Sequence, residues 1–519
     1  MDVNKKTIIT ILLALVAVTG QAQTILQDWF KTDTIIVKGQ IEGYNAEQFG
    51  FTTMLCYLDD VMEKDNKTLV MEINPDGTFE KNFPISYPMH LTFVASGESK
   101  VGFSGIPFFA RPGETVDVTV RIHEGGRYDY VFNGGSSRDV ERWLRSCDEY
   151  SDLFMAIPSF KGKLEDGNKL TESIWQNAMN SLQTVSQRDH YTPMEMQLAL
   201  ADIQAYFAKS YLSYVDNHVT DLVKYEERDG EWHAEVLDSV EYKKIFEAKN
   251  YYPLRHIDFD NPLLLASQAF DTMLNRIQFA DYARKSRYNG IDDENDGMEV
   301  VYQNYSTALS NYLAALRDLM GTDKDNLVVQ LCAYKDMQSD FDCKMFPLYL
   351  AAFTHPYIHQ KVEQFYNNQM AQTDIASPLP VTPMADLIRS LCAKYPGKIL
   401  MIDFWGMSCG PCRDAIQLSK ELRAEIAKRD DVKLIFIAGE RTTEGSDEYK
   451  KYVSEWLADE ETICVTKSDF VRLQELFQFN SIPHYETITP DGRRVRDDLR
   501  INGYDNFDEE LQRLKKKLK

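Results

Sequence analysis

The stretch Ile402-Asp403-Phe404-Trp405-Gly406-Met407-Ser408-Cys409-Gly410-Pro411-Cys412 runs an apolar segment into two cysteines separated by two residues. Lys398 to Trp405 is nearly continuous in apolar residues, the pattern of a strand buried on both faces. From the cysteines to about Ala427, residues Ala415, Leu418, Leu422 and Ile426 recur at helical spacing. Two cysteines so spaced at a helix start can join without moving the backbone. The first lies where the unpaired N–H groups of the helix end point, and these favour a thiolate. Cys409 is the expected nucleophile and Cys412, one turn inside, the resolving thiol, the two forming a redox disulfide. Pro411 lacks an N–H in the first turn, where that loss is cheap. The same spacing serves zinc sites, which usually add a second Cys or His pair. None is visible, His484 is a lone candidate third ligand, and neither a metal nor a cofactor is expected.

Working outward, Thr382-Pro383 makes a helix start, and that helix runs to about Lys394. After the cysteine helix come a buried strand at Val432 to Ala438, a helix at Ser446 to Leu457, a short strand at Thr462 to Val465 and a short helix at Phe470 to Phe477. Tyr485 to Ile488 and Arg494 to Asp498 flank the turn Pro490-Asp491-Gly492, and Phe507, Leu511, Leu514 and Leu518 mark a last amphipathic helix. The order is β-α-β-α-β-α-β-β-α, with the cysteines at a strand–helix junction.

This segment resembles the thioredoxin superfamily. The match rests on Ile402 to Cys412 and on Ser481-Ile482-Pro483 before the hairpin strand, and it spans roughly residues 384–519. With the added N-terminal regions it is similar to bacterial envelope thiol–disulfide oxidoreductases of TlpA/ResA type. The resemblance implies an α/β thioredoxin fold. It implies that Asp403 is a buried acid that exchanges a proton with Cys412, and that Pro483 is cis and presents the Ile482 backbone to an extended substrate. It also implies that Trp405 packs by the active-site turn and contributes to substrate binding. Departures are Ser408 where the family has Trp, Gly406-Met407 before it, and His484 where Thr is common; these bear on substrate preference and potential. Protein thiols and disulfides are the implied partners, with a membrane reductase as electron donor.

The remainder of the 519-residue chain is less specific. At about 150 residues per domain, roughly three or four domains are expected. Lys5 and Lys6, the apolar run Ile8 to Val18 and Gly20-Gln21-Ala22 read as a signal peptide over 1–22, so the mature protein is expected in the periplasm or cell envelope. No cysteine follows closely, Cys56 being the nearest, so a lipoprotein anchor is not expected, nor is any segment embedded in a membrane. Residues 23–135 carry short β-branched runs with turn signals such as Asn74-Pro75-Asp76-Gly77, suggesting a small β-sandwich or barrel. Residues 136–370 have helical stripes, at Asp139 to Phe154, Met194 to Tyr214, Leu263 to Phe279 and Met298 to Met320. Asp292, Asp293, Glu294 and Asp296 lie in a polar break without calcium-loop spacing. Proline-rich 371–383 reads as an extended linker.

A formal net charge of −23 excludes a nucleic-acid backbone as partner. Eight cysteines are too sparse for a disulfide scaffold, although Cys332 and Cys343 are close enough in sequence to pair. Two readings fit these features. One is an exported thiol–disulfide oxidoreductase, reducing by its Gly-Pro dipeptide, with an oxidase or isomerase direction as the variant. The other is an envelope protein whose N-terminal region binds a ligand or partner, the redox domain being accessory. A peroxidase has no supporting motif.

Overall fold

The computed structural model describes residues 29–518, except 65, 98, 124–126, 148, 150–151, 229–230, 288–297 and 340. The leader reading at 1–22 and the acidic break at 288–297 lie outside the described residues.

Eight strands come first: β1 (Asp33–Glu42), β2 (Thr53–Leu58), β3 (Lys67–Glu72), β4 (Thr78–Ile85), β5 (Met89–Ala95), β6 (Gly105–Ala110), β7 (Thr115–Ile122) and β8 (Tyr128–Phe132). They form two four-stranded sheets, ordered β4-β1-β7-β8 and β3-β2-β5-β6. Strand alternation buries Ile35, Val37 and Ile41 of β1, and Phe83 of β4 meets Phe93 of β5 edge to face across the layers. Gly77 ends the turn of the Asn74-Pro75-Asp76-Gly77 hairpin at φ 85°, a backbone that suits glycine. β2 and β8 are absent from the sequence reading, β8 despite the glycines on either side of it, Gly125-Gly126 and Asn133-Gly134-Gly135.

The helices of the middle region do not close a core of their own. One continuous set of buried apolar residues runs from Trp29 to Val362, through both sheets and the helices behind them. Trp143, for example, packs against His90 and Phe109 of the sheets. The two units expected over 23–135 and 136–370 therefore share one core. The helix Pro193–Leu222 starts with a capping box between Thr192 and Glu195. Among the described residues the predicted helix at 139–154 is broken into short pieces that include Gly135–Asp139, Glu141–Ser146 and the 3-10 turn Asp152–Ala156. The Leu263 to Phe279 stripe likewise divides into Pro262–Ala266 and Phe270–Gln278. The long helix Leu164–Arg188, rich in Asn, Gln and Ser, shows its buried stripe of Ile174, Trp175, Ala178, Leu182 and Val185 only once packed. A hairpin of β9 (Val223–Arg228) and β10 (Glu231–Val236) interrupts the helical region.

The C-terminal strands are β11 (Ala376–Pro378), β12 (Ile399–Trp405), β13 (Val432–Glu440), β14 (Glu461–Thr466), β15 (His484–Ile488) and β16 (Arg493–Val495). They form one sheet, ordered β11-β16-β15-β12-β13-β14. β12 lies parallel to β13 and antiparallel to β15. Its alternate side chains enter two cores: Ile399, Met401 and Trp405 join the core containing Cys412, while Leu400, Ile402 and Phe404 join Leu473 and Phe477 on the opposite face. Part of the expected linker is a strand: Ala376–Pro378 pairs with β16 at the sheet edge, where Pro378 is tolerated. The expected long helix after the cysteines breaks at Ser419, whose hydroxyl donates to the Ala415 carbonyl at 2.6 Å.

Two further contacts tie the C-terminal domain together and to the sandwich. The helix Lys467–Phe477 lies against β3, the outer strand of the second sheet, through Leu55, Val70 and Val471. On the same face of the C-terminal sheet, fully buried Glu486 accepts from Arg494 at 2.7 Å and 3.0 Å, from Arg500 at 2.9 Å, and is 2.8 Å from His484 Nε2. Burial opposes its charge, but these partners outweigh burial and hold its carboxyl below the usual range. Glu486→Ala takes the buried carboxylate from Arg494 and Arg500, leaving them Asp497, and is expected to cost about 2 kcal/mol. Breaking the exposed Arg121–Glu42 pair by Glu42→Ala costs less than about 1 kcal/mol. Urea unfolding midpoints of the two variants measure the contrast.

Candidate active site

Cys409 occupies the N-cap of the helix Gly410–Leu418, in extended backbone, with Pro411 in the first turn. The Cys412 backbone N–H donates to Cys409 Sγ at 3.1 Å. Cys409 and Cys412 form a disulfide with Cα atoms 5.3 Å apart, a span that needs no backbone movement. The sulfurs differ in access: Cys409 is partly exposed, whereas Cys412 is 1% exposed.

The Ile482–Pro483 peptide is cis. The Ile482 carbonyl oxygen lies 3.6 Å from Cys409 Sγ, so the loop borders the partly exposed sulfur. β15 begins directly after it, with His484 opposite Phe404 and Tyr485 opposite Asp403 in register.

Asp403 is 3% exposed and shares a parity with Trp405 on β12, on the face that holds Cys412. Its Oδ2 accepts from the Tyr504 hydroxyl at 2.8 Å, while Oδ1 is buried and without a protein hydrogen bond. Burial pushes its pKa up to about 7, against a smaller lowering by Tyr504 and by the charge of Arg423. Tyr504 lies 101 residues from Asp403 in sequence, in an Asn-Gly-Tyr segment with no local pattern, and Arg423 is an ordinary helix position. Neither could be found from spacing; only the topology brings them beneath β12.

One expectation is corrected. Trp405 is fully buried, stacked on Tyr449 and tilted against Tyr452. Its ring supports the active-site turn from inside and cannot touch a substrate. The His484 ring stacks on Phe479 at 4.1 Å and its Nε2 faces Glu486. No cluster of three or more His, Cys, Asp or Glu suited to a metal occurs among the described residues.

The other thiols are set apart from the pair. Cys332 and Cys343 are unpaired, Cys332 buried and Cys343 exposed, so the bridge considered for them is not formed. Burial pushes the Cys56 thiol up to about 12 and raises those of Cys332, Cys392 and Cys464. No helix among the described residues is long and apolar enough to cross a membrane.

No family profile matches the chain, and no curated protein does. Among solved structures, it is similar to the thioredoxin domain of a thiol-disulfide oxidoreductase from Bacteroides vulgatus, at 18% identity and TM-score 0.20, over 23% of this chain and 81% of that one. StoA from Bacillus subtilis gives 14% identity and TM-score 0.19, over 23% of this chain and 84% of its own. A thioredoxin-like protein from Bacteroides caccae gives 10% identity and TM-score 0.24, over 46% of this chain and 92% of its own. Each of these likenesses covers less than half of the chain.

Proposed function

We propose that the protein is an exported thiol–disulfide oxidoreductase that reduces protein disulfides through Cys409 and Cys412. The observation that carries this reading is the arrangement of three parts: a partly exposed sulfur at a helix N-terminus, a cis-proline carbonyl 3.6 Å from it, and a buried acid with one unpartnered oxygen on the same sheet face.

In the reducing direction, the Cys409 thiolate attacks one sulfur of a substrate disulfide. A mixed disulfide forms and the other substrate sulfur leaves as a thiolate. The Cys412 N–H, aimed at Cys409 Sγ, favours the anion before attack. Cys412 then gives its proton to Asp403, attacks Cys409 Sγ and expels the second substrate thiol. Asp403 suits the transfer because burial places its titration near neutrality. The Cys409–Cys412 disulfide that remains needs two electrons, for which a membrane reductase is the proposed donor.

Three results test this. Limiting alkylation of the reduced protein at neutral pH is expected to label Cys409 ahead of every other thiol, including exposed Cys343; preferential labelling elsewhere contradicts the mechanism. The reduction potential of the pair is expected near −270 mV, roughly the thioredoxin value, and a potential near about −120 mV would reverse the direction. Asp403→Asn is expected to slow turnover about 100-fold and remove the rise in rate as pH passes about 7. Its sign on stability is also fixed. Between 3.8 and about 7 the folded state holds a proton on Asp403 that the unfolded chain has lost, so stability falls as pH rises through that window. Across that range the urea midpoint of the oxidised wild type should fall relative to that of Asp403→Asn.

A further inference from the structure

The turn that leads into the cis-proline loop is held by the N-terminal sandwich. The helix Lys467–Phe477 ends at Gln478, which adopts φ 55°, a left-handed backbone uncommon for a side chain of this kind. Just before this turn, Glu475 Oε1 accepts from the Val70 N–H at 2.8 Å and from Lys81 Nζ at 2.6 Å. Just after it, the Phe479 carbonyl accepts from the Thr68 hydroxyl at 2.7 Å. Thr68 and Val70 stand two residues apart on β3, so one strand grips both sides of the turn. β3 is an outer strand, paired only with β2, and such a strand has N–H groups that need covering. Here a side chain of the C-terminal domain covers one.

The grip passes to the sulfur. The Phe479 ring stacks on His484 at 4.1 Å and packs on Phe404 at 4.9 Å. Phe479 and His484 are thereby fixed at the two ends of Asn480-Ser481-Ile482-Pro483, whose Ile482 carbonyl borders Cys409 Sγ. Two further polar contacts of this interface lie away from the loop: Arg472 meets Glu72 at 2.8 Å and 2.9 Å, and Ser468 reaches the Ser96 carbonyl at 3.4 Å.

We infer that Thr68 is a positioning residue for the cis-proline loop, and that the sandwich sets the affinity for extended protein substrates without taking part in the exchange at sulfur. This rests on the proposed thiol–disulfide exchange. The full-length protein is assayed with insulin and, separately, with the small substrate hydroxyethyl disulfide, both recycled by dithiothreitol. Thr68→Val removes the hydroxyl, keeps the branched shape and is expected to raise KM for insulin about three- to tenfold. The rate with hydroxyethyl disulfide stays unchanged, and Thr68→Ser restores the insulin KM. Glu475→Ala, at a partly exposed helix position, acts in the same direction and keeps the test standing if Thr68→Val misfolds. Glu72→Ala loosens an exposed pair away from the loop and leaves KM within about twofold. An unchanged insulin KM in both Thr68→Val and Glu475→Ala overturns the inference, as does an equal fall with both substrates or an equal effect of Glu72→Ala. Failure of the wild type to reduce insulin would instead strike the proposed function itself.

Discussion

β12 is hydrogen-bonded on both sides, and the rest of the candidate site depends on that double registration. Its pairing with β13 fixes where the strand ends and so where the cysteine helix begins. Its pairing with β15 sets Phe404 against His484 and thereby brings the cis-proline loop alongside the helix N-terminus. The two-residue period then decides the faces. Asp403 must point toward the layer that holds Cys412, and Phe404 toward the layer that holds Phe479. A slip of one residue on either side would send the acid to the wrong layer and part the loop from the sulfur.

The same geometry sets the bonded Cys409–Cys412 pair apart from six other cysteines. Buried thiols ionise poorly, which covers Cys56 and Cys332 and applies more weakly to Cys392 and Cys464. Cys343 is exposed as well, but Cys409 caps an α-helix with an N–H directed at its sulfur. Cys412 is shielded by the helix it belongs to, so an external reagent meets the first sulfur and the internal step belongs to the second.

How much of this could be read from the chain depends on whether the signal was local. The C-terminal elements were legible because buried strands and amphipathic helices each carry their pattern in a few consecutive residues, and the Cys-Gly-Pro-Cys segment states its own geometry. The acid and the loop proline were readable through resemblance. Tyr504 and Arg423 were not, since nothing near them in sequence refers to Asp403. Trp405 was misread because an aromatic beside an active-site turn suits either a surface or a core, and only packing against Tyr449 and Tyr452 decides. In the N-terminal region most strands emerged beside turn residues, but β8 was passed over although glycines frame it on both sides. The helix Leu164–Arg188 escaped because its polar residues dilute the stripe, and the shared core escaped because no local pattern says which units bury against each other.

The short strand β11 changes what counts as the boundary of the C-terminal fold. Ala376 and Pro378 close the side of β16, and the Arg496 N–H also reaches the Ile375 carbonyl at 2.9 Å. A fragment begun at the helix Pro383–Lys394 would keep the cysteines, the acid and the loop, yet leave β16 with an open row of backbone groups. Such an edge is a template for another chain, so the excised fragment would be prone to self-association through a surface that the intact protein keeps closed. The segment that looks like a tether in the sequence is, in the folded chain, the hem of the sheet.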